Sequence, residues 1–247
     1  MKKVLNIAHR GFSGIYPENT MLAFRKAVEI QCDGVETDVQ LTKDCIPVLC
    51  HDETLDRTTT GKGFIKDYTY KELSKLDAGI KRDRKFKSCR IPTLDEFLDF
   101  AKDKNILINI ELKNSIIQYP SLEEIVIDRI YKYKMENNCI LSSFNHYSMV
   151  RCKKIDNRIK TGLLYSEILY RPEKYAEYVG ADALHPDFST LYHDNIIKGT
   201  TEKGIPINVY TVNEEKDMIS MINLGVNGII TNYHDKLKRI LSILHLP

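Results

Sequence analysis

Short apolar runs alternate with amphipathic segments along almost the whole chain, and that alternation is the pattern of repeated βα units around a parallel sheet. Eight runs read as strands: "VLNIAH" (4–9), "GVETDVQL" (34–41), "ILINIEL" (106–112), "CILSSF" (139–144), "IKTGLL" (159–164), "ADALHP" (181–186), "PINVYT" (206–211) and "VNGIIT" (226–231). Helical periodicity fills the intervals. "ENTMLAFRKAVEI" sets Leu22, Ala23, Ala27 and Ile30 on one stripe, and "SLEEIVIDRIYKY" does the same with Leu122, Ile125, Val126 and Ile130. "NEEKDMISMINLG" opens on an Asn cap, carries acids in its first turn and stops at Gly225. Eight such pairs predict an α/β fold, a (β/α)₈ TIM barrel, with a doubly wound open sheet as the rival architecture.

One interval breaks the rhythm. Residues 43–92 hold a strand, "IPVLC", then the turn-rich "DETLDRTTTGKGFIKDYT", before "IPTLDEFLDFAKD" restores a helix. This reads as an insertion after the second strand, an elaborated βα loop of the kind that sits on the catalytic face of a barrel.

Length changes little: 247 residues suit one barrel domain over 1–247 with no linker. Formal charge is +2, with Lys and Arg spread along the chain rather than gathered in one block, so no nucleic-acid-binding stripe is expected. The opening "MKKVLNIAHRG" has too short an apolar core for a signal peptide, and no run approaches the roughly 18 residues of a membrane span, so a cytoplasmic protein is expected. The six cysteines show no CxxC and no regular spacing, which points to buried thiols in a reducing compartment. Nothing in the sequence reports on oligomeric state.

The chemistry gathers at strand ends. His9 closes the first strand, Glu36 and Asp38 share one face of the second, and Glu111 closes the third with Lys113 two residues on. His51 follows "IPVLC" at the start of the insertion. Two unit charges about 4 Å apart at an effective dielectric near 20 repel by about 4 kcal/mol, a large part of a domain's net stability. Three carboxylates at one mouth therefore require protons or a cation, and all-oxygen ligands suit Mg²⁺ or Ca²⁺. The competing reading of the Glu36–Asp38 pair is neutralisation by neighbouring Arg and Lys; Arg10 would then be a salt-bridge partner and His51 an ordinary loop residue.

Taken in order, "HRGFSGIYPENTMLAF", "DGVETDVQLTKDCIPVLCHDETLDRTTTGKG", "IPTLDEFL", "NIELK", "SSFN", "YTVN" and "GVNGIITN" resemble the motifs of the glycerophosphodiester phosphodiesterase family. The resemblance covers almost the whole chain and is most specific in the first 63 residues. It implies a (β/α)₈ barrel with a small insertion after its second strand, and hydrolysis of glycerophosphodiesters to sn-glycerol 3-phosphate and an alcohol. Carried over position by position, it makes His9 and His51 the acid and base pair, Glu36, Asp38 and Glu111 the ligands of one divalent cation, and Arg10 and Lys113 phosphate contacts. The partner it implies is a small-molecule glycerophosphodiester such as glycerophosphocholine or glycerophosphoethanolamine.

The chain departs from the commonest pattern at Tyr210, where many relatives carry Trp, and at His185, where small polar residues are frequent. Both are expected to line the substrate pocket, Tyr210 as a smaller and more polar wall and His185 with a packed core histidine as its other reading. Phe12 is a further wall candidate, with packing as its other role. Two alternatives accompany this reading. A lysophospholipase D would need an apolar groove or a lipid-facing segment, for which the amphipathic "HDKLKRILSILHLP" is the candidate, its other role being an outer barrel helix. A non-catalytic phosphodiester-binding barrel would be expected to lack a histidine or an acid, and none is missing.

Overall fold

A computed structural model describes residues 3–192 and 196–244. In chain order its strands are β1 (Leu5–His9), β2 (Gly34–Leu41), β3 (Pro47–Leu49), β4 (Leu107–Leu112), β5 (Cys139–Ser143), β6 (Lys160–Tyr165), β7 (Ala183–Pro186), β8 (Asn208–Val209) and β9 (Gly228–Thr231). Its α-helices are α1 (Met21–Glu29), α2 (Tyr70–Leu73), α3 (Leu94–Ala101), α4 (Leu122–Lys132), α5 (His146–Ile155), α6 (Pro172–Val179), α7 (Ile196–Glu202), α8 (Glu215–Leu224) and α9 (His234–Ile243).

Eight of the strands pair in parallel in the order β7-β6-β5-β4-β2-β1-β9-β8. The ring is closed by bridges from Leu184 to Ile207 and from Asp187 to Tyr210. All eight expected strands are present. The seventh of these, expected over 206–211, contracts to Asn208–Val209, and Pro206 at its start has no N–H to give a ladder. β3 runs antiparallel beside β2 and opens the insertion.

Alternation builds the layers. Val35 and Val39 of β2 face the helices while Glu36, Asp38 and Gln40 occupy the other face, and the whole strand is buried. Outside it, Phe24 of α1 and Phe97 of α3 pack ring against ring at 4.3 Å. Thr20 caps α1 by accepting the Ala23 N–H, and Thr93 with Glu96 forms a capping box on α3. The cap of α8 differs from expectation. Glu214 takes that position, while the Asn213 side chain accepts from the Asn232 N–H and tethers the loop after β9. Gly225 ends the helix in the left-handed conformation, at φ 83°.

The insertion has a small apolar cluster of its own, including Val48, Leu55, Ile65, Leu73 and Ile91. The apolar face of α9, with Leu237, Ile240 and Leu241, is buried, so the terminal amphipathic segment is an outer barrel helix as far as Leu244; residues 245–247 lie outside the described residues. Among the described residues no helix is long and apolar enough to cross a membrane. All six cysteines are free thiols, four of them buried.

Because Phe24 is fully buried and joins α1 to α3, Phe24→Ala should lower the unfolding free energy by about 3–5 kcal/mol, read as a fall in the urea midpoint at unchanged slope.

Candidate active site

Register places the polar residues side by side. In the parallel pairing His9 lies opposite Glu36, and Asp38 opposite Glu111, so all four stand on the inner face near the carboxyl ends of β1, β2 and β4. Oxygen atoms of Glu36, Asp38 and Glu111 lie within 4.8 Å of one another, and all three residues are buried.

The turn after β1 supplies the first cation. Arg10 and Gly11 both adopt positive φ, and a Cβ at Gly11 would meet the backbone of Ala23 at 2.7 Å, so only glycine fits there. This turn aims the Arg10 N–H at Glu36 Oε2 (3.0 Å) and the Arg10 guanidinium at Asp38 Oδ2 (Nε, 3.4 Å) and Glu18 Oε1 (Nη1, 2.8 Å). Asn19 donates to Asp38 Oδ2 at 2.7 Å and accepts from Thr37 at 2.8 Å. Lys113 reaches Glu111 Oε1 at 3.0 Å.

These neighbours act unequally on the three acids. Burial, then the charge of Asp38, pushes the Glu111 carboxyl up to about 7 and the Glu36 carboxyl well above its ordinary range. Burial alone would raise Asp38 too, but Arg10, His51 and Lys113 outweigh it and hold that carboxyl at about 2. The protein's own cations thus favour the charged form of Asp38, while Glu36 and Glu111 are pushed the other way. Asp38 Oδ1 is buried with no hydrogen-bond partner. An orphaned carboxylate oxygen beside two carboxyls that resist ionisation, all with oxygen donors, fits a hard divalent cation.

The two imidazoles are held alike. His9 Nδ1 lies 2.6 Å from Asn232 Oδ1, and His51 Nδ1 lies 2.7 Å from Asp52 Oδ1. Both partner oxygens accept, so each ring carries its proton on Nδ1 and keeps Nε2 for the cavity. His9 Nε2 stands 3.8 Å from Glu36 Oε2, and burial, reinforced by Arg10, pushes the His9 imidazole down to about 4. Arg57 grips Asp52 through Nε (2.7 Å) and Nη2 (2.9 Å), and reaches both Glu18 oxygens at 2.8 Å. A chain of alternating sign therefore runs from the insertion into the acid cluster: Asp52, Arg57, Glu18, Arg10, Asp38. Below it, Gln40 Nε2 approaches the carbonyls of Cys50, His51 and Asp52 at 2.9, 3.2 and 2.7 Å and fixes the backbone that carries His51.

A cavity of about 160 Å³ is lined by five of these groups, while Asp38 and Lys113 lie outside its lining. His9, Arg10, Glu36, His51 and Glu111 form its charged side, and Phe144, Leu164, Tyr210 and Ile230 its apolar side. A larger cavity of about 470 Å³ lies between residues 168–173 and 196–202, away from the acids, so chemistry and not size singles out the candidate.

Tyr210 does line the cavity, but its hydroxyl donates to the Tyr165 carbonyl at 3.0 Å, and its ring meets Phe144 edge to face at 5.9 Å. The pocket-lining expectation for His185 is corrected in favour of the packed-core one. It is fully buried one layer deeper in the barrel, against Gly162, with Nε2 3.1 Å from Asn208, and does not line the cavity. Phe12 packs against His234 and Tyr16 and is likewise no wall residue. Sequence reasoning gave no role to Gln40, Asn232 or the Asp52–Arg57–Glu18 chain. For Gln40 the signal existed, since it continues the period-two face of Glu36 and Asp38.

Comparison with known proteins agrees with this geometry. The model of the glycerophosphoryl diester phosphodiesterase family matches residues 9–236. A glycerophosphodiester phosphodiesterase of Caldanaerobacter subterraneus subsp. tengcongensis is 47% identical over 230 residues, 93% of this chain and 94% of the relative. One of Bacillus altitudinis is 39% identical over 235 residues, 94% and 96%. The solved structure of an Oleispira antarctica phosphodiesterase, in complex with the product sn-glycerol-3-phosphate, superposes with a TM-score of 0.85 at 29% identity over 96% of both chains. With the family model spanning nearly the full length and relatives of this identity, the chain belongs to the glycerophosphoryl diester phosphodiesterase family of enzymes.

Proposed function

We propose that this cavity hydrolyses glycerophosphodiesters to sn-glycerol 3-phosphate and an alcohol, with Glu36, Asp38 and Glu111 holding one divalent cation, Mg²⁺ or Ca²⁺. The observation that carries the reading is a cluster of three mutually close carboxylates, two of which, Glu36 and Glu111, line one 160 Å³ cavity together with two Nδ1-anchored imidazoles. The product seen in the Oleispira antarctica relative supports the glycerol phosphate half of the substrate.

A phosphodiester is an anion, and its cleavage is slow unless charge is offset and two protons move. The Arg10 guanidinium and the Lys113 ammonium, already at the acid cluster, take the phosphate oxygens. When bound, the cation supplies Lewis-acid stabilisation of the charged oxygens. One imidazole removes the proton of the attacking hydroxyl or water through its Nε2 lone pair, and the other, charged, delivers a proton to the leaving alkoxide; each transfer contributes about 10²- to 10⁴-fold. The Asp52 carboxylate fixes the orientation of the His51 ring, and the amide oxygen of Asn232 does the same for His9 without adding charge. Phe144 and Tyr210 shape the apolar side that receives the alcohol portion.

Purified protein should release glycerol 3-phosphate from glycerophosphocholine, lose that activity on chelation and recover it with added Mg²⁺ or Ca²⁺. Activity that survives thorough chelation overturns the cation's part in the reading. Faster turnover of lysophosphatidylcholine than of glycerophosphocholine would instead favour the lysophospholipase reading, and no release with any divalent ion the non-catalytic one.

His51→Ala should reduce kcat by about 10² or more with the thermal melt unchanged, since the ring is 31% exposed and held mainly by one hydrogen bond. Near-normal turnover in that variant defeats the two-imidazole scheme.

Asp52→Asn keeps the shape beside His51 but removes the carboxylate, so kcat should fall by about 10²-fold, with the pH profile displaced, while KM stays close to wild type. A fall confined to stability, with an undisplaced pH profile, would reduce Asp52 to a structural residue.

A further inference from the structure

We propose that the insertion carries a docking surface for an anionic lipid membrane, built from the exposed cations Lys81, Arg82, Arg84, Lys85 and Lys87 at the rim of the barrel mouth. The even spread of charge expected from the sequence does not hold here. Between Lys81 and Arg90 six of ten residues are Lys or Arg and only Asp83 is acidic. Residues 43–92 hold twelve Lys and Arg against eight Asp and Glu, a net of +4, whereas the whole chain nets +2. The remainder of the molecule is therefore slightly acidic, and the positive field is concentrated on this one elaboration.

The fold presents these cations in a fixed array. Asp77 accepts the N–H groups of Gly79 and Ile80, both at 2.8 Å, and of Ser88 at 2.5 Å, pinning the two ends of the basic segment together. Gly79 is required, because a Cβ there would meet the Phe86 carbonyl at 2.0 Å. A short 3₁₀ turn, Arg84–Phe86, is capped by Asp83, and the buried Phe86 ring anchors it against Tyr16 at 5.6 Å. Asp83 offsets Lys85 at 3.2 Å, and Arg90 is taken up by Glu96 and Tyr70. Lys81 and Arg82 donate to the carbonyls of Asp56 and Gly14, neutral partners that leave their charge uncompensated. Among the described residues Arg84 and Lys87 make no ion pair.

Exposed apolar side chains flank the array. Ile15 follows Gly14, which Arg82 touches, and Phe64 follows Gly63, whose N–H donates to the same Asp56 whose carbonyl Lys81 touches. Cations beside exposed Ile and Phe match a bilayer interface, which accepts both, better than a nucleic-acid duplex, whose phosphate surface offers the apolar pair nothing. The same insertion brings His51 to the cavity, so docking would hold the mouth at the surface. That use rests on the function proposed above, whereas binding itself does not.

The full chain should cosediment with phosphatidylcholine vesicles containing phosphatidylglycerol and not with phosphatidylcholine alone, weakening as added salt shortens the Debye length to about 10 Å at 0.1 M. At about fivefold per cation, the variant R84E/K85E/K87E should partition roughly 10²-fold more weakly, with unchanged hydrolysis of a soluble diester. If that variant does not fold, K87E alone should lose about fivefold or more. Equal partitioning to neutral vesicles, no partitioning of the wild type, or variants that bind like wild type overturn the proposal. So does retention on duplex DNA stronger than on anionic vesicles. Loss of hydrolysis with vesicle binding intact would count against the catalytic reading alone.

Discussion

Everything in the candidate site answers to the repulsion among three buried carboxylates whose oxygens lie within 4.8 Å. Unrelieved, such proximity costs about 4 kcal/mol per pair, so that three pairs together rival the whole net stability of an ordinary fold. Arg10 and Lys113 relieve part of it, enough to keep Asp38 ionised while Glu36 and Glu111 are driven toward their neutral forms. The surroundings of the cluster make sense as arrangements to deliver and hold that positive charge. The left-handed pair at Arg10 and Gly11 turns the guanidinium inward, and Glu18 and Arg57 continue the alternation of sign outward to Asp52.

The residues legible in the sequence were those whose position follows from strand geometry. His9, Glu36, Asp38 and Glu111 sit at or near carboxyl ends of strands with a period of two, and parallel register does the rest. Depth along a strand was harder to read. His185 sits on an inner face as expected, but β7 is staggered so that it pairs with Leu164 and its ring fills the space left by Gly162, beneath the cavity and not beside it. Asn213 was read as a helix cap from its neighbours alone, when its actual partner is Asn232, which follows a different strand. Local sequence carries no record of such long-range hydrogen bonds, which is also why the Asn232 anchor is not legible in it, whereas the inner-face placement of Gln40 is.

The insertion illustrates how much a barrel can add without altering its frame. β3 extends the edge of β2, a modest apolar cluster closes over it, and the turn held by Asp77 sits on the outside. Among the contacts that tie this elaboration to the candidate cavity are the Gln40 amide under the His51 backbone and the Arg57 grip on Glu18.

The two imidazoles consequently rest on foundations of unequal strength. His9 belongs to a strand hydrogen-bonded on both flanks, while His51 hangs from a segment whose private core is a handful of side chains. Partial opening of that segment would carry one ring out of reach and leave the acid cluster standing. If His51 serves as proposed, mild heat, denaturant or a drifting loop sequence would then silence turnover by a route that leaves the barrel itself folded.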